Sequence, residues 1–110
     1  MKIEEYLQSL PQKIISGDDV QLPTHAFLDI FKFVKLSEND VFYHLGCGNG
    51  AGVFIAKEEF NVKKSVGIDL DKEKITVAKK TLVEKKLQNC HFINEDVLDS
   101  KFDDATVVLF

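Results

Sequence analysis

Four of the six glycines of this 110-residue chain lie within seven residues, and no other feature constrains the fold as strongly. This cluster, from Gly46 to Gly52, follows a short apolar run at 41–45 and precedes a helical pattern at 51–60. Glycine permits positive φ angles, and a ligand can approach its backbone closely because it has no β-carbon. The free N–H groups at the start of the following helix favour an anionic group. The cluster therefore predicts a strand–turn–helix unit that binds a small anionic or carboxylate-bearing ligand, with a tight turn that binds nothing as the alternative.

Apolar runs typical of strands alternate with helical patterns from residue 41 onward. The predicted strands are 41–45, 65–69, 90–94 and 105–110, and the predicted helices between them are 51–60 and 72–86. Strands that are apolar on both faces indicate a parallel sheet covered by helices. We therefore predict an α/β fold, a doubly wound parallel sheet in a three-layer αβα arrangement.

Two further helices are predicted ahead of this alternation. Residues 3–10 have apolar side chains at helical spacing, and a second helix starts with Thr24 as its N-cap. We expect an N-terminal helical segment at 1–36 and a core at 37–110, both within one structural domain. The predicted buried face of the second helix consists of Phe27, Leu28, Phe31 and Val34.

Composition excludes several classes of protein. All 14 basic residues are lysines and the net charge is -4, so a dedicated nucleic-acid-binding module is not expected. No apolar run approaches the roughly 20 residues of a membrane span. Acids occupy positions 4 and 5, where a secretory signal is apolar, so we expect a cytoplasmic protein. Cys47 and Cys90 lack a C-x-x-C partner and cannot complete a zinc site with His91, so free thiols and no metal are expected.

Two acidic residues follow predicted strands at the edge that carries the glycine turn. Asp69 ends the second strand, and Asp96 lies just past the third. Because the carboxyl ends of neighbouring parallel strands lie side by side, Asp69 is expected to face the turn across a crevice. There it can accept hydrogen bonds from both hydroxyls of a ribose, or cap a helix, a role that Asp71 can equally fill. Asp96 can accept from an exocyclic amine such as that of adenine, or be a plain loop acid.

These positions place a nucleoside across the ends of three successive strands. Gly46-x-Gly48-x-x-Ala51 matches the pattern of NAD-binding Rossmann domains, and Asp69 lies near the expected ~20-residue offset. An NAD-binding oxidoreductase domain is therefore one hypothesis.

The same residues resemble class I S-adenosylmethionine-dependent methyltransferases. Residues 41–50 are similar to the first motif of that family, 66–71 to the second, and 94–97 to the acidic loop that holds adenine. Gly50, the third glycine, and the acidic loop favour S-adenosylmethionine over NAD. The resemblance implies a Rossmann-like sheet and S-adenosylmethionine as the cofactor. The cofactor contacts that it implies are Thr24, His44, Gly46, Cys47, Gly48, Asn49, Gly50, Asp69, Leu70, Asp96 and Val97.

A narrower resemblance connects residues 20–110 to small archaeal protein lysine methyltransferases. It rests on Leu22-Pro-Thr24 and on residues 60–64 and 104–108. It implies a protein substrate methylated on lysine, and it places Thr24 near the methionine end of the cofactor, with the N-cap role as the alternative. No residue is assigned as the base that deprotonates the lysine, so the catalytic residues stay unknown. A non-catalytic module that binds S-adenosylmethionine is the competing hypothesis.

Two departures from the family pattern matter. His44 stands where the family has an acid that contacts the amino group of the cofactor. A neutral imidazole can accept that hydrogen bond and an imidazolium repels the ammonium, whereas a histidine bonded to a backbone carbonyl is the alternative. The family also has seven strands, with the acceptor pocket after the fourth, where this sequence stops at Phe110. We expect a truncated chain or half of a split protein that associates through its exposed fourth strand.

Overall fold

Four parallel strands form the centre of the computed structural model, which describes residues 22–110, and their order is β3-β2-β1-β4. The strands are β1 (Val41–Leu45), β2 (Lys64–Asp69), β3 (Cys90–Asn94) and β4 (Val107–Leu109). The helices are α1 (Thr24–Phe33), α2 (Ala51–Phe60) and α3 (Lys72–Lys85), with a 3-10 helix at Val97–Asp99. This arrangement confirms the predicted α/β fold with a Rossmann-like parallel sheet. Of the three predicted layers, residues 22–110 supply the sheet and one helical layer, formed by α1, α2 and α3.

The predicted bounds of β1, α2 and β3 are confirmed, and the fourth strand is shorter than predicted. The prediction that Thr24 caps α1 is wrong, because Thr24 is the first helical residue and Pro23 is the N-cap. The helix begins one residue earlier because the Pro23 carbonyl accepts the amides of Ala26 and Phe27, at 3.0 and 3.3 Å. The predicted helix at 3–10 lies outside the described residues.

The two faces of the sheet are covered differently. The three helices pack on one face, and side chains that alternate along the strands point towards them. The buried strand residues on this face include Phe42, Phe92, Val107 and Leu109. The opposite face carries Tyr43, Val66, Ile68 and Val108. Within residues 22–110 the connection between β3 and β4 covers that face through Val97, Phe102 and Ala105.

Polar contacts at the amino ends of the strands attach β4 to the sheet. Thr106 accepts the amide of Val41 at 2.9 Å and donates its hydroxyl to Asp40 at 2.8 Å. Tyr43 donates to Asp104 at 2.8 Å, and the ammonium of Lys64 lies 2.7 Å from the same carboxylate. These bonds fix the register of β4 beside β1, with β4 at one edge of the sheet.

Over residues 22–110, none of the helices combines the length and the apolar character that crossing a bilayer requires.

Candidate functional site

The glycine turn is attached to the carboxyl end of β2. The amides of Gly46 and Cys47 both donate to the carbonyl of Ile68, at 2.7 and 3.1 Å. Gly46, Gly48 and Gly50 have φ angles of 78°, 57° and 92°. Residues other than glycine adopt positive φ angles only rarely. The predicted turn is therefore present, and its path favours glycine most strongly at Gly46 and Gly50, because Asn61 and Asn89 adopt positive φ angles close to that of Gly48.

Gly50 and Gly46 differ in what surrounds them. Gly50 is the N-cap of α2, and its carbonyl accepts the amide of Phe54 at 3.0 Å. A β-carbon at Gly50 would lie 2.6 Å from the ring of Phe92, whereas at Gly46 it would meet no atom within 4 Å. The turn is therefore packed against the Phe92 ring at Gly50 and is open at Gly46, where a ligand can approach the backbone.

Asp69 reaches the glycine turn, as its position in the sequence predicts. Its Oδ2 accepts the amide of Gly48 at 2.8 Å, and its Oδ1 accepts the amide of Asp71 at 2.8 Å. An ionised carboxylate has about four lone-pair sites, so both oxygens retain acceptor capacity. The alternative role for Asp69, a helix cap, is filled by Asp71, whose Oδ1 accepts the amides of Glu73 and Lys74. Asp69 is thus a fixed carboxylate that can still bind hydroxyl groups.

The segment that follows β3 lies against the end of β2. The amide of Glu95 donates to the Asp69 carbonyl at 3.1 Å. Asp96 is the N-cap of the 3-10 helix, and its Oδ1 accepts the amide of Leu98 at 2.9 Å. Leu70 is 69% exposed, while Val97 packs on the face of the sheet opposite α1, α2 and α3. The carboxyl ends of β1, β2 and β3 therefore meet at one edge of the sheet. We call the space between the glycine turn and the Asp69–Leu70 segment at this edge the crevice.

His44 lies in β1 on the face that α1 and α2 cover. Its ring centroid is 5.9 Å from that of Phe27 and 6.4 Å from that of Phe42. Within the described part of the chain, Nδ1 is a buried atom without a hydrogen-bond partner, so the predicted bond to a backbone carbonyl is wrong for this nitrogen. Burial lowers the pKa of His44 to about 4, against the attraction of the Asp69 carboxylate. The imidazole is therefore neutral near pH 7.

We expect the stability of the protein to fall between pH 7 and pH 5 because of His44. Its pKa is about 4 in the folded state and ~6.5 when unfolded, so the unfolded state binds more protons in this interval. The contribution of the neutral His44 to the free energy of unfolding is complete above pH 6.5 and is lost as the pH falls towards 4. Urea unfolding should show a loss of about 2 kcal/mol between pH 7 and pH 5. Replacement of His44 by phenylalanine should remove this loss, and a loss that persists in that variant contradicts the assignment.

The remaining predicted contacts differ in burial. Cys47 is buried, and burial raises the pKa of its thiol to about 12, so the thiol is protonated at neutral pH. Asn49 is exposed in the turn, and Thr24 is exposed in the first turn of α1. Cys90 is a buried free thiol. The part of the chain that the structure describes contains no cluster of three side chains suited to a metal ion.

Sequence reasoning missed two residues that shape this crevice, Phe92 and Asn94. The ring of Phe92 lies under the glycine turn. The Asn94 amide donates to the carbonyls of Asp69 and Leu70, at 3.0 Å each. Asn94 is the last residue of a predicted strand and the first residue of the acidic loop at 94–97, and this place in the sequence indicated its position. No pattern in the sequence indicates that Phe92 contacts the turn.

Comparisons with known proteins agree with this geometry. The profile of a family described as a methyltransferase domain matches residues 36–107. A protein-lysine N-methyltransferase of Saccharolobus islandicus is 37% identical over 59 residues, which are 54% of this chain and 37% of that protein. A tRNA (guanine-N(7)-)-methyltransferase of Clostridium novyi is 33% identical over 73 residues, 64% of this chain and 34% of that protein. The chain thus spans little more than a third of the length of these curated relatives.

Several solved structures resemble most of this chain. An RNA methyltransferase from Salinibacter ruber, crystallised in complex with S-adenosyl-L-homocysteine, is similar with a TM-score of 0.75 and 27% sequence identity. The match covers 81% of this chain and 58% of that chain.

Proposed function

This chain belongs to the methyltransferase domain family, with the fold of class I S-adenosylmethionine-dependent enzymes, and from that premise we propose that its crevice binds S-adenosylmethionine. The Asp69 carboxylate is the observation that carries this proposal. It is held beside the glycine turn by the amides of Gly48 and Asp71 and keeps lone pairs for both hydroxyls of a ribose.

Three further features of the crevice suit the rest of the cofactor. The backbone at Gly46 is open, which admits the methionine part close to the turn. The imidazole of His44 is neutral, so it does not repel the amino group of the cofactor; Nδ1 is buried against α1 and α2, so Nε2 is the nitrogen that would accept from that group. Asp96 keeps one carboxylate oxygen for the exocyclic amine of adenine. Thr24, Cys47, Asn49, Gly50, Leu70 and Val97 complete the proposed contacts.

The cofactor would supply an electrophilic methyl group attached to a sulfonium. This chain would hold that group in position for in-line displacement, in which the acceptor forms a bond to the methyl carbon and the carbon–sulfur bond breaks. Alignment of this kind lowers the activation free energy by ~7–11 kcal/mol. A lysine acceptor (pKa ~10.4) must first lose a proton, and none of the described residues is assigned as its base.

We propose protein lysine as the acceptor, on the support of the Saccharolobus relative at 37% identity. RNA is the second candidate, because a tRNA methyltransferase and an RNA methyltransferase are also similar to this chain. The absence of arginine and the net charge of -4 count against RNA.

Two measurements test these proposals. In calorimetric titration the chain should bind S-adenosylmethionine and S-adenosylhomocysteine but not NAD, and binding of NAD alone would refute the cofactor assignment. Transfer of a radiolabelled methyl group by the full-length gene product should then be measured on a lysine-rich protein and, in parallel, on tRNA. Labelled protein supports lysine, and labelled tRNA supports the second candidate. Binding without any transfer supports the non-catalytic alternative.

Replacement of His44 by aspartate should tighten the binding of S-adenosylmethionine. A charge-assisted bond to the ammonium is worth ~1.5–3 kcal/mol, which corresponds to a dissociation constant lower by about one to two decades. His44→Asn is the matched control, because it has the shape of aspartate without the charge and should not tighten binding. An unchanged or weaker dissociation constant in His44→Asp, measured by calorimetry, would contradict this role.

A further inference from the structure

Strand β3 contributes none of the cofactor contacts proposed above, but two of its side chains support the walls of the crevice. We propose that Phe92 and Asn94 are positioning residues that set the distance between the glycine turn and the Asp69–Leu70 segment. This inference rests on the proposed binding of S-adenosylmethionine and deepens it.

Phe92 occupies a slot between two glycines that belong to different elements. A β-carbon at Gly50 would lie 2.6 Å from its Cε1 and Cζ atoms, and one at Gly67 of β2 would lie 2.9 Å from its Cδ1. The ring is 5% exposed, and its centroid lies 5.2 Å from that of Phe54 in α2. The ring therefore packs against both the turn and β2, beside Cys47, whose Sγ would lie 2.7 Å from a β-carbon at Gly67, and the two side chains together set the height of the turn above β2.

Asn94 supports the opposite wall. Its side-chain amide donates to the carbonyls of Asp69 and Leu70, both at 3.0 Å. These two carbonyls belong to consecutive residues, so one amide group fixes the path of the chain as it leaves β2. The amide of Glu95 donates to the same Asp69 carbonyl at 3.1 Å, which anchors the acidic loop to this wall.

The two walls meet at the 2.8 Å bond between the Gly48 amide and the Asp69 carboxylate. Phe92 supports the turn that carries Gly48, and Asn94 supports the segment that carries Asp69. A shift of either wall lengthens this bond and moves the carboxylate relative to the turn. A ligand that contacts both walls at once is sensitive to such a shift, because each hydrogen bond has a narrow range of favourable distances.

Asn94→Ala tests the support of the Asp69–Leu70 segment without disturbing the core, since Asn94 is exposed. We expect the dissociation constant of S-adenosylhomocysteine, measured by calorimetry, to rise about ten-fold, the result of losing the support of two hydrogen bonds. Asn39→Ala is the matched control, because Asn39 is an exposed residue that precedes β1 at the other end of the sheet. It should bind like the wild type, and an equal effect of the two substitutions overturns the proposal.

Phe92→Leu tests the support of the glycine turn, with Phe31→Leu as the control. Phe31 is a fully buried ring of α1 that packs against Phe42 and Phe60, so the control loses a similar volume elsewhere in the core. We expect Phe92→Leu to raise the dissociation constant of S-adenosylhomocysteine about ten-fold and to shift the NMR signal of the Gly48 amide in the ligand-free protein. The control should change neither. Equal changes in the two variants would mean that Phe92 acts only through stability, which overturns its positioning role.

A double-mutant cycle covers the case in which one variant is poorly folded. Because the Phe92 ring opposes a β-carbon at position 50, Gly50→Ala should weaken binding less in the Phe92→Leu background than in the wild type. Simple additivity of the two effects contradicts the inference. Wild-type protein that binds no S-adenosylhomocysteine refutes the proposed function itself. Wild-type protein that binds it, with Asn94→Ala and Phe92→Leu binding equally well, refutes the positioning role alone.

Discussion

Replacement of Asp69 by alanine is expected to weaken the binding of S-adenosylmethionine by at least about a hundred-fold. Each hydrogen bond from a ribose hydroxyl to a carboxylate is worth ~1.5–3 kcal/mol, and ~1.4 kcal/mol corresponds to a factor of ten. The same substitution leaves the amides of Gly48 and Asp71 without their acceptor, so the turn also loses one of its three hydrogen bonds to the end of β2. Calorimetric titration of both proteins measures the difference.

Asp71→Ala is the control for the Asp69 variant. Asp71 caps α3 through the amides of Glu73 and Lys74, so its loss should lower the free energy of unfolding by about 1 kcal/mol. It should leave the affinity for the cofactor near that of the wild type. If Asp69→Ala binds within about three-fold of the wild type, a difference of less than ~1 kcal/mol, the carboxylate does not hold the ribose.

Replacement of Gly50 by alanine should lower the free energy of unfolding by about 2–5 kcal/mol. Two effects add. A left-handed backbone, here with φ of 92°, costs ~1–2 kcal/mol for a residue that has a β-carbon. The new methyl group would also lie 2.6 Å from the buried ring of Phe92, and overpacking of this kind costs ~1–3 kcal/mol. Urea unfolding of wild type and variant gives the value.

Gly46→Ala separates these two effects. Gly46 has a similar φ, 78°, but a β-carbon there meets no atom within 4 Å. This variant should therefore lose only the ~1–2 kcal/mol of backbone strain. An equal loss of stability in the two variants would show that the Phe92 ring moves away from the new methyl group without a cost in free energy.

The crevice combines features that depend on local sequence patterns with features that depend on the order of the strands. The glycine turn depends on residues 46–50, and each of the adjoining strands depends on its own apolar run. The approach of Asp69 to the turn follows from parallel strand order alone, because the carboxyl ends of such strands share an edge. These features could be predicted because each depends on local pattern or on a general rule of topology.

The role of His44 shows where such prediction ends. Its position in β1 was predictable, but whether its nitrogen finds a carbonyl depends on what α1 and α2 bring to that face of the sheet. They bring the ring of Phe27 and the backbone of Gly52, and within the described residues neither gives Nδ1 a partner. The start of α1 was misplaced by one residue for a related reason, since the Pro23 carbonyl rather than a side chain begins the helix.

By itself, the sequence determined the alternation of strands and helices, the glycine turn and the two acids at the carboxyl edge. Only the tertiary structure decided that Phe92 supports the turn and that Asn94 supports the end of β2. Those contacts join residues more than twenty positions apart, and they depend on the register between β2 and β3. A one-residue change of register would turn both side chains to the other face of the sheet, and no local pattern of residues records that choice.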